Sequence, residues 1–363
     1  MMTVAVVTFW LRFEGRQMKN PVLGLGAFML AIAAAASAHD GDSHTAIVTA
    51  SNTAANQLLI YSSTGVLSDK IPTQGQGGVS GNAGGIAQSY DRLAVVNFGS
   101  GNVSVFAKDF EHATLRLEAV IRSVASPVSV AFNNEHLYIL TTTHVESHAI
   151  DSRGVSASAD GATALLIADG SAAQVGAVDG ELIITEKSNT IESVPLNRLG
   201  AVSGKATRVA NIPANVNTPF GLVTHGNDAY VTIAHANEIS LVRNNDVLTV
   251  TGSGTQSSPC WLALDGPFLF SANSPSESVS RYAVYGKVIV QDAAVAATFS
   301  GDPTDIAYRA GLAAVIDANA SVSHVSIFHV DEDGNLGLQG LATINNVATN
   351  GIAIVRFDEH AGY

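Results

Sequence analysis

The chain has 363 residues and is acidic, with 31 Asp and Glu against 18 Lys and Arg and a formal net charge of −13. An acidic surface disfavours nucleic acids and anionic membranes, because their phosphates repel it. The single cysteine, Cys260, excludes an intramolecular disulfide. Charged residues make up 13% of the chain and hydrophobic residues 47%, which favours short buried strands over long amphipathic helices.

In chain order, the first predicted element is a secretory signal in residues 1–38. A run of apolar and small residues covers positions 22–38 and ends in an Ala-Ser-Ala motif at Ala38, which predicts cleavage before His39. Translation is expected to start at Met18. The alternative is a membrane anchor, but the run is shorter than the roughly 20 residues that span a bilayer. We therefore expect a periplasmic or secreted protein with no membrane contact after cleavage.

A polar leader is predicted at residues 39–45. After cleavage, the terminal amine with the imidazoles of His39 and His44 forms a donor set suited to copper or zinc. The alternative is a plain leader, which we favour because six residues without a scaffold form a weak metal site. We therefore expect no metal ion and no cofactor.

A strand–turn–strand–turn–strand unit, first present at residues 84–109, recurs along the chain. Its apolar runs end in Gly, Asn, Asp or Ser, which is typical of short strands joined by tight turns. The repeats open 40 to 47 residues apart, at Gly85, Pro127, Ala173, Pro219, Pro259, Pro303 and Asn350. A period in the forties with several strands per repeat predicts a β-propeller.

The two ends of the chain predict how the ring closes. The seventh opening begins at Thr349, too close to Tyr363 for three further strands. The leader is instead followed by second- and third-strand patterns at residues 46–50 and 57–61. We predict an all-β fold over residues 46–363, a seven-bladed β-propeller of four-stranded antiparallel blades. The strand at residues 352–355 then completes the first blade.

Polar residues just after the second strand of each repeat are candidates for a functional site. In a propeller these positions crowd one face around the central channel. The set is Asn97, Thr141, His144, Glu186, His235, Asn273 and Asp317. The alternative interpretation is that Asn, Asp and Thr are ordinary turn residues there and that the histidines are simply solvated.

The repeats resemble the lactonase-type seven-bladed propellers, a family that includes 6-phosphogluconolactonase-like proteins and carboxymuconate-lactonising enzymes. The resemblance covers residues 46–355 and is clearest at residues 93–106 (LAVVNFGSGNVSVF) and 331–336 (DEDGNL). Residues 182–191 resemble the segment that carries the family's glutamate at the channel mouth. The resemblance therefore assigns that role to Glu186.

This resemblance implies lactone hydrolysis. Ring opening needs a base to activate water and a cation or donor to hold the carbonyl oxygen. We expect Glu186 to be the base, with His144 or His235 polarising the carbonyl or carrying protons. Arg243 and Arg281 lie in third strands and are suited to hold a substrate carboxylate only if they turn inward. The other expected substrate-binding residues are Asn97, Asn273 and Asp317.

Two classes of function stay open. The opening prolines are followed by Val128, Phe220, Cys260 and Thr304, whereas the family often carries His or Arg there, and this deficit weakens a role for an acidic or phosphorylated lactone. The first class is an exported lactone hydrolase with a small-molecule substrate. The second is a non-catalytic propeller that binds a peptide, a sugar or a protein on its channel face. In both cases we expect a monomer that binds no nucleic acid.

Overall fold

The computed structural model describes residues 44–133 and 135–358. The predicted signal peptide and most of the predicted leader lie outside these residues. The described part forms 29 strands and three single-turn 3-10 helices, at Phe98–Ser100, Ala234–Ala236 and Ser274–Ser276. It contains no helix long and apolar enough to cross a membrane.

The first three blades occupy the first half of the chain. Blade 1 begins with β1 (Thr45–Ala50), β2 (Gln57–Ser62) and β3 (Leu67–Pro72). Blade 2 contains β4 (Ile86–Gln88), β5 (Arg92–Asn97), β6 (Asn102–Asp109) and β7 (Thr114–Arg122). Blade 3 contains β8 (Pro127–Phe132), β9 (His136–Thr141), β10 (His144–Asp151), β11 (Gly154–Val155) and β12 (Gly161–Ala164).

Four more blades and a last strand follow. Blade 4 contains β13 (Ala172–Val178), β14 (Glu181–Glu186), β15 (Thr190–Pro195) and β16 (Thr207–Arg208). Blade 5 contains β17 (Pro219–His225), β18 (Asp228–Ile233), β19 (Glu238–Arg243) and β20 (Asp246–Gly252). Blade 6 contains β21 (Pro259–Asp265), β22 (Phe268–Asn273), β23 (Ser278–Tyr285) and β24 (Val288–Thr298). Blade 7 contains β25 (Asp302–Arg309), β26 (Leu312–Ala318), β27 (Ser323–Val330) and β28 (Leu336–Ile344), and β29 (Asn350–Arg356) ends the series.

The blades form a closed ring of antiparallel sheets. Within blades 2 and 4 to 7 the strands pair in chain order, from an innermost first strand outward. In blade 1 the innermost strand is β29, which pairs with β1, and in blade 3 both β11 and β12 pair with β10. Each innermost strand contacts the innermost strand of the next blade, in the order β4, β8, β13, β17, β21, β25 and β29, and β29 contacts β4. This ring confirms the predicted seven-bladed propeller.

The last strand completes blade 1, as predicted. In the antiparallel pair of β29 and β1, Val355 lies opposite Ala46 and Ile352 lies opposite Thr49. Just beyond the pair, the N–H of Phe357 donates to the carbonyl of His44 at 2.8 Å. Strands from both ends of the chain therefore share one sheet, which removes the exposed edge of an open ring.

The core lies between the blades. In β14, Leu182 and Ile184 pack in one cluster with blade 3, and Ile183 between them packs in another with blade 5. Strands buried on both faces read as continuous apolar runs, which is why the second strands were clear in the sequence. Burying each such side chain contributes about 1.5 to 3 kcal/mol, so the interfaces between blades supply most of the hydrophobic stabilisation.

The outermost strands deviate most from the prediction. In blade 3 the fourth strand is split into β11 and β12, which pair with different ends of β10. In blade 4, residues 196–203 contain only an isolated bridge between Leu196 and Val202, and the paired outer strand is the two-residue β16. An outermost strand has a neighbour on one side only, so fewer of its residues need to be apolar and its sequence pattern is weaker.

Candidate functional site

The second strands end at the face of the ring where the innermost strands begin. In several blades a residue at the end of the second strand lies opposite a residue at the start of the first. The described pairs include Thr141 with Pro127, Glu186 with Ala172, Asn273 with Pro259, and Asp317 with Pro303. These four residues, and Asn97 at the end of β5, therefore hold corresponding positions in their blades, and their hydrogen bonds can be compared directly.

Asn97 is fully buried, and both ends of its amide are bonded within the protein. Its Nδ2 donates to Asn102 Oδ1 at 2.7 Å and to Ser104 Oγ at 2.8 Å. Its Oδ1 accepts from Asn56 Nδ2 at 2.9 Å and from Thr73 Oγ1 at 2.7 Å. Asn97 therefore ties blade 1 to blade 2, and its polar atoms are engaged inside the fold.

Asn273 in blade 6 and Thr141 in blade 3 also form hydrogen bonds within their own blades. Asn273 Nδ2 donates to Ser278 Oγ at 3.2 Å and to Ser280 Oγ at 2.8 Å. Thr141 Oγ1 donates to the backbone carbonyl of His144 at 3.0 Å. Both side chains thus fasten the turn that leads into the third strand, which agrees with the turn-residue interpretation.

Asp317 is the corresponding residue of blade 7, and it is paired with a histidine. Its Oδ2 lies 3.1 Å from His324 Nδ1. Burial raises the pKa of Asp317, and the contact with His324 offsets part of that rise. The carboxyl group has a partner on the adjacent third strand, so it too is engaged in a contact within its own blade.

Glu186 differs from these residues because its carboxyl group is only partly satisfied. It is fully buried, and its Oε2 accepts one hydrogen bond, from Ser171 Oγ at 2.9 Å. Its Oε1 has no hydrogen-bond partner among the described residues. Ser171 Oγ also lies 2.8 Å from Ser188 Oγ. A buried carboxyl oxygen without a partner is costly, and such groups concentrate at functional sites.

The electrostatics of this position favour proton transfer. Burial raises the pKa of Glu186 to about 8, and the hydrogen bond from Ser171 offsets only part of the shift. The adjacent Lys187 has a lowered pKa, also because of burial. A carboxyl group that titrates near neutral pH can both accept and return a proton. We call Ser171, Glu186, Lys187 and Ser188 the Glu186 site.

Residues 79–84, here called the strap, lie across the channel mouth. Asn82 Nδ2 donates to the carbonyl of Val128 at 2.6 Å, and its Oδ1 accepts from Asn350 Nδ2 at 2.9 Å. The carbonyl of Asn82 accepts from Trp261 Nε1 at 3.2 Å. These partners belong to blades 3, 1 and 6, so the strap spans the ring. The face on which the sequence analysis placed the candidate residues is therefore crossed by the strap.

The strap also contacts blade 4, which carries the Glu186 site. The N–H of Ala83 donates to the carbonyl of Ala173 at 3.2 Å, and Lys187 Nζ donates to the carbonyl of Gly81 at 2.5 Å. Sequence reasoning missed the strap, Ser171 and Lys187. The available signal was the Gly- and Gln-rich stretch at residues 74–78, which leads into the strap.

The apolar residues at the openings of the innermost strands pack beneath the strap. Ala83 of the strap forms a buried cluster with Ala173, Phe220 and Ala234. Trp261 borders this cluster and meets Phe220 edge to face, with ring centroids 5.3 Å apart. Phe220, which follows one of the opening prolines, is thus used for packing.

Neither candidate histidine contacts Glu186. His144 Nδ1 lies 2.9 Å from Thr143 Oγ1, and the exposed His235 has its Nδ1 2.9 Å from Thr218 Oγ1. Within the described residues, no hydrogen bond or ion pair joins either ring to the Glu186 site.

The two candidate arginines pair with aspartates of their own blades. Arg243 forms a two-point ion pair with Asp228, with Nη2 and Oδ2 2.6 Å apart. Both lie at the end of blade 5 opposite the turn that follows β18. Arg281 Nε lies 3.0 Å from Asp292 Oδ1, and its guanidinium sits 5.5 Å from the ring centroid of Phe268. The structure brings neither arginine to the Glu186 site.

Two further observations concern metal ligands and the thiol of Cys260. Among the described residues, no group of three or more His, Cys, Asp or Glu side chains is placed to hold a metal ion. Cys260 is partly buried, and burial raises the pKa of its thiol to about 12, so the thiol is protonated at neutral pH and unsuited to act as a nucleophile.

The fold places the chain in the class of seven-bladed β-propellers. No family model and no curated protein matches the sequence. Solved structures do match, and their descriptions include a provisionally assigned 6-phosphogluconolactonase and a periplasmic gluconolactonase. The fold is therefore that of the lactonase-like propellers.

Three of these structures illustrate the similarity. The periplasmic gluconolactonase PpgL of Pseudomonas aeruginosa matches with a TM-score of 0.62 and 12% identity, over 86% of this chain and 99% of its own. A Bacteroides fragilis protein provisionally assigned as a 6-phosphogluconolactonase gives 0.61 and 16%, over 87% and 99%. An inactive virginiamycin B lyase of Staphylococcus aureus with quinupristin gives 0.53 and 12%, over 76% and 92%. At these identities the shared property is the fold.

Proposed function

We propose that this protein is a lactone hydrolase in which Glu186 acts as the base. The observation that carries the proposal is the buried carboxyl group of Glu186, which has one unpartnered oxygen and a pKa of about 8. The compared positions in blades 2, 3, 6 and 7 hold side chains with partners inside the fold. The lactonase-like fold supports the proposal, since its solved neighbours include a periplasmic gluconolactonase.

The proposed mechanism uses three side chains. Ionised Glu186 removes a proton from a water molecule, which adds to the ring carbonyl of the lactone. The bond between the carbonyl carbon and the ring oxygen then breaks, and Glu186 returns the proton to that oxygen, leaving a hydroxy acid. Ser171 Oγ holds Oε2 and leaves Oε1 for the water. The ammonium group of Lys187 supplies positive charge for the carbonyl oxygen.

Access to Glu186 requires an opening of the structure, because its side chain is fully buried. The hydrogen bond from Lys187 to Gly81 links the strap to the site. A lactone carbonyl offers the same type of acceptor as the carbonyl of Gly81. We infer that the substrate replaces Gly81 as the partner of Lys187 when the strap moves.

The test is the Glu186→Gln variant, which keeps the shape of the side chain and removes the base. It should lower the hydrolysis of simple γ- and δ-lactones, followed by proton release, by about 10²-fold or more. Glu146→Gln is the matched control. Glu146 is also buried, but its Oε2 accepts from the N–H of Val124 at 3.1 Å, and this variant should keep its activity.

Two results would contradict the proposal. One is a parent protein that hydrolyses no lactone, and the other is a Glu186→Gln variant as active as the parent. Either result would leave the non-catalytic binding propeller as the better hypothesis.

We also propose that the protein is exported and cleaved before His39. The Ala-Ser-Ala motif at Ala38 and the similarity to a periplasmic protein support this. N-terminal sequencing of protein from the periplasm or the medium should begin His-Asp-Gly-Asp. Recovery of the chain in the membrane fraction with residues 18–38 still attached would show an anchor instead.

A further inference from the structure

A cavity of about 510 Å³ lies between the outer parts of blades 6 and 7. Blade 6 contributes the end of β24 and the turn that follows it, and blade 7 contributes parts of β26, β27 and β28. We call it the outer cavity. The Glu186 site belongs to blade 4, so the outer cavity is separate from it.

Three side chains of β27 line the outer cavity. They are His324, Ser326 and Phe328, which share one face because residues two apart in a strand point to the same side of a sheet. The Cα atoms of His324 and Ser326 are about 7 Å apart along the strand, so their polar groups border the same part of the cavity.

The ring of His324 has one nitrogen available to a ligand. Its Nδ1 lies 3.1 Å from Oδ2 of Asp317, which is 2% exposed. Within the part of the chain that the structure describes, its Nε2 forms no hydrogen bond. An ionised Asp317 only accepts, which places a hydrogen on Nδ1 and leaves Nε2 of the neutral ring to accept one.

A buried hydroxyl group supplies an independent indication of a ligand. Ser326 is 7% exposed and lines the cavity, and its Oγ has no hydrogen-bond partner among the described residues. Ser280, at the same position in blade 6, donates to the carbonyl of Ala294 at 2.7 Å. The hydroxyl of Ser326 lacks such an acceptor, and a ligand oxygen would satisfy it.

The remaining walls indicate what the ligand carries besides its polar group. The apolar lining includes Ala297, Phe299, Leu336, Leu338 and Leu341, which suits a carbon skeleton. Leu338 and Leu341 are 64% and 54% exposed, so a ligand there would cover apolar surface. Among the described lining residues the titratable groups are Asp317 and His324, which pair with each other and offer no net positive charge to an anion.

We propose that the outer cavity binds an uncharged alcohol, with its hydroxyl group at His324 and Ser326 and its carbon skeleton on the apolar wall. A hydroxyl group both donates and accepts, so it can donate to Nε2 of His324 and accept from Ser326 Oγ. A hydrocarbon can do neither, and a carboxylate only accepts. This site does not depend on the proposed lactone hydrolysis.

Ligand-detected NMR on the purified protein can test the site with matched probes. Benzyl alcohol carries the hydroxyl group, toluene has the same ring without it, and benzoate replaces it with a charge. We expect benzyl alcohol to bind with a Kd on the order of 1 mM, as befits so small a ligand. Toluene should bind about threefold to tenfold more weakly, because it forms no hydrogen bond, and benzoate should also bind more weakly.

Two variants then locate the binding. Ser326→Ala removes the unpartnered hydroxyl and should weaken benzyl alcohol binding about threefold or more. Leu341 lies opposite Ser326 in the pairing of β27 with β28, and Leu341→Gln should weaken binding to a similar degree, because it removes part of the apolar wall. The control is Leu199→Gln, the same change at an exposed leucine of blade 4, which should leave binding unchanged.

The proposal fails if the parent protein does not bind benzyl alcohol, or if toluene or benzoate binds as tightly, because the cavity would then not select a hydroxyl group. It also fails if Leu199→Gln loses as much binding as Leu341→Gln, or if folded Ser326→Ala binds like the parent. Leu341 is exposed, so its variant is expected to fold. Together with the comparison of probes, it keeps the test decisive even if Ser326→Ala does not fold.

Discussion

At the scale of single residues, the position that ends the second strand explains why Glu186 stands apart. The amide of an asparagine there can both donate and accept, so Asn97 donates to Asn102 and accepts from Asn56. An ionised glutamate only accepts, and at Glu186 a single hydroxyl group is available. The result is a carboxyl group held neutral by its surroundings, which suits acid–base chemistry better than structural support.

Glu186 should also make the stability of the protein depend on pH. Its folded pKa of about 8 lies above the ordinary value of 4.5, so the folded state holds the proton more tightly than the unfolded state. Its contribution to the free energy of unfolding is complete below about pH 4.5 and is lost as the pH rises through about 8. We expect Glu186→Gln to have a higher Tm than the parent at about pH 8, with a smaller difference at about pH 5.

Differential scanning calorimetry across this range provides the measurement. Burial also raises the pKa of Asp305 to about 7, so Glu186→Gln should retain part of the decline of stability with pH. Parallel Tm curves for the parent and Glu186→Gln would show that Glu186 is already ionised in the folded protein.

At the scale of elements, the side chain of Asn82 connects the strap to two blades of the ring. Replacing Asn82 with Ala removes one buried and one partly buried hydrogen bond and leaves Asn350 Nδ2 and the carbonyl of Val128 without this partner. We expect a loss of about 2 to 3 kcal/mol in the free energy of unfolding, because unpaired buried groups are costly. Urea denaturation measures this change.

The fluorescence of Trp261 reports on whether the strap stays in place, because its indole N–H donates to the backbone carbonyl of Asn82. In Asn82→Ala the emission should shift to longer wavelength as water reaches the ring. Asn215→Ala, which removes an exposed amide paired with Glu238, is the control and should leave both stability and emission unchanged. An unchanged spectrum in Asn82→Ala would mean that the rest of the strap keeps its place without this side chain.

At the scale of the whole molecule, the closing strand decides whether the ring forms. Deleting residues 349–363 removes β29, which exposes β1 and the innermost edges of blades 7 and 2. We expect this chain to lose its cooperative thermal transition, monitored by circular dichroism, because an open ring exposes apolar faces and an unpaired edge.

A circular permutant is the matched control for that deletion. Residues 44 and 357 share a backbone hydrogen bond, so a short Gly/Ser linker can join the two ends, and new ends can be opened in the turn between β23 and β24. This protein keeps β29 beside β1 and should unfold cooperatively. A truncated chain as stable as the permutant would show that blade 1 does not need its fourth strand.

The sequence by itself determined the architecture. Inner strands are buried on both faces, so each needs an apolar run, and each run must end in a turn residue. That requirement repeats with every blade, and it made visible the seven openings and the absence of a first strand before the second strand at residues 46–50. The position of Glu186 at the end of β14 followed from the same repeat.

Only the tertiary structure decided what surrounds Glu186 and what covers the channel. Ser171 reaches Glu186 across the ends of two strands. The strap reaches blades that are distant in sequence, as the hydrogen bond between Asn82 and Asn350 shows. Such contacts depend on how the blades face one another in the closed ring, and they cannot be predicted from a local pattern of apolar and polar residues.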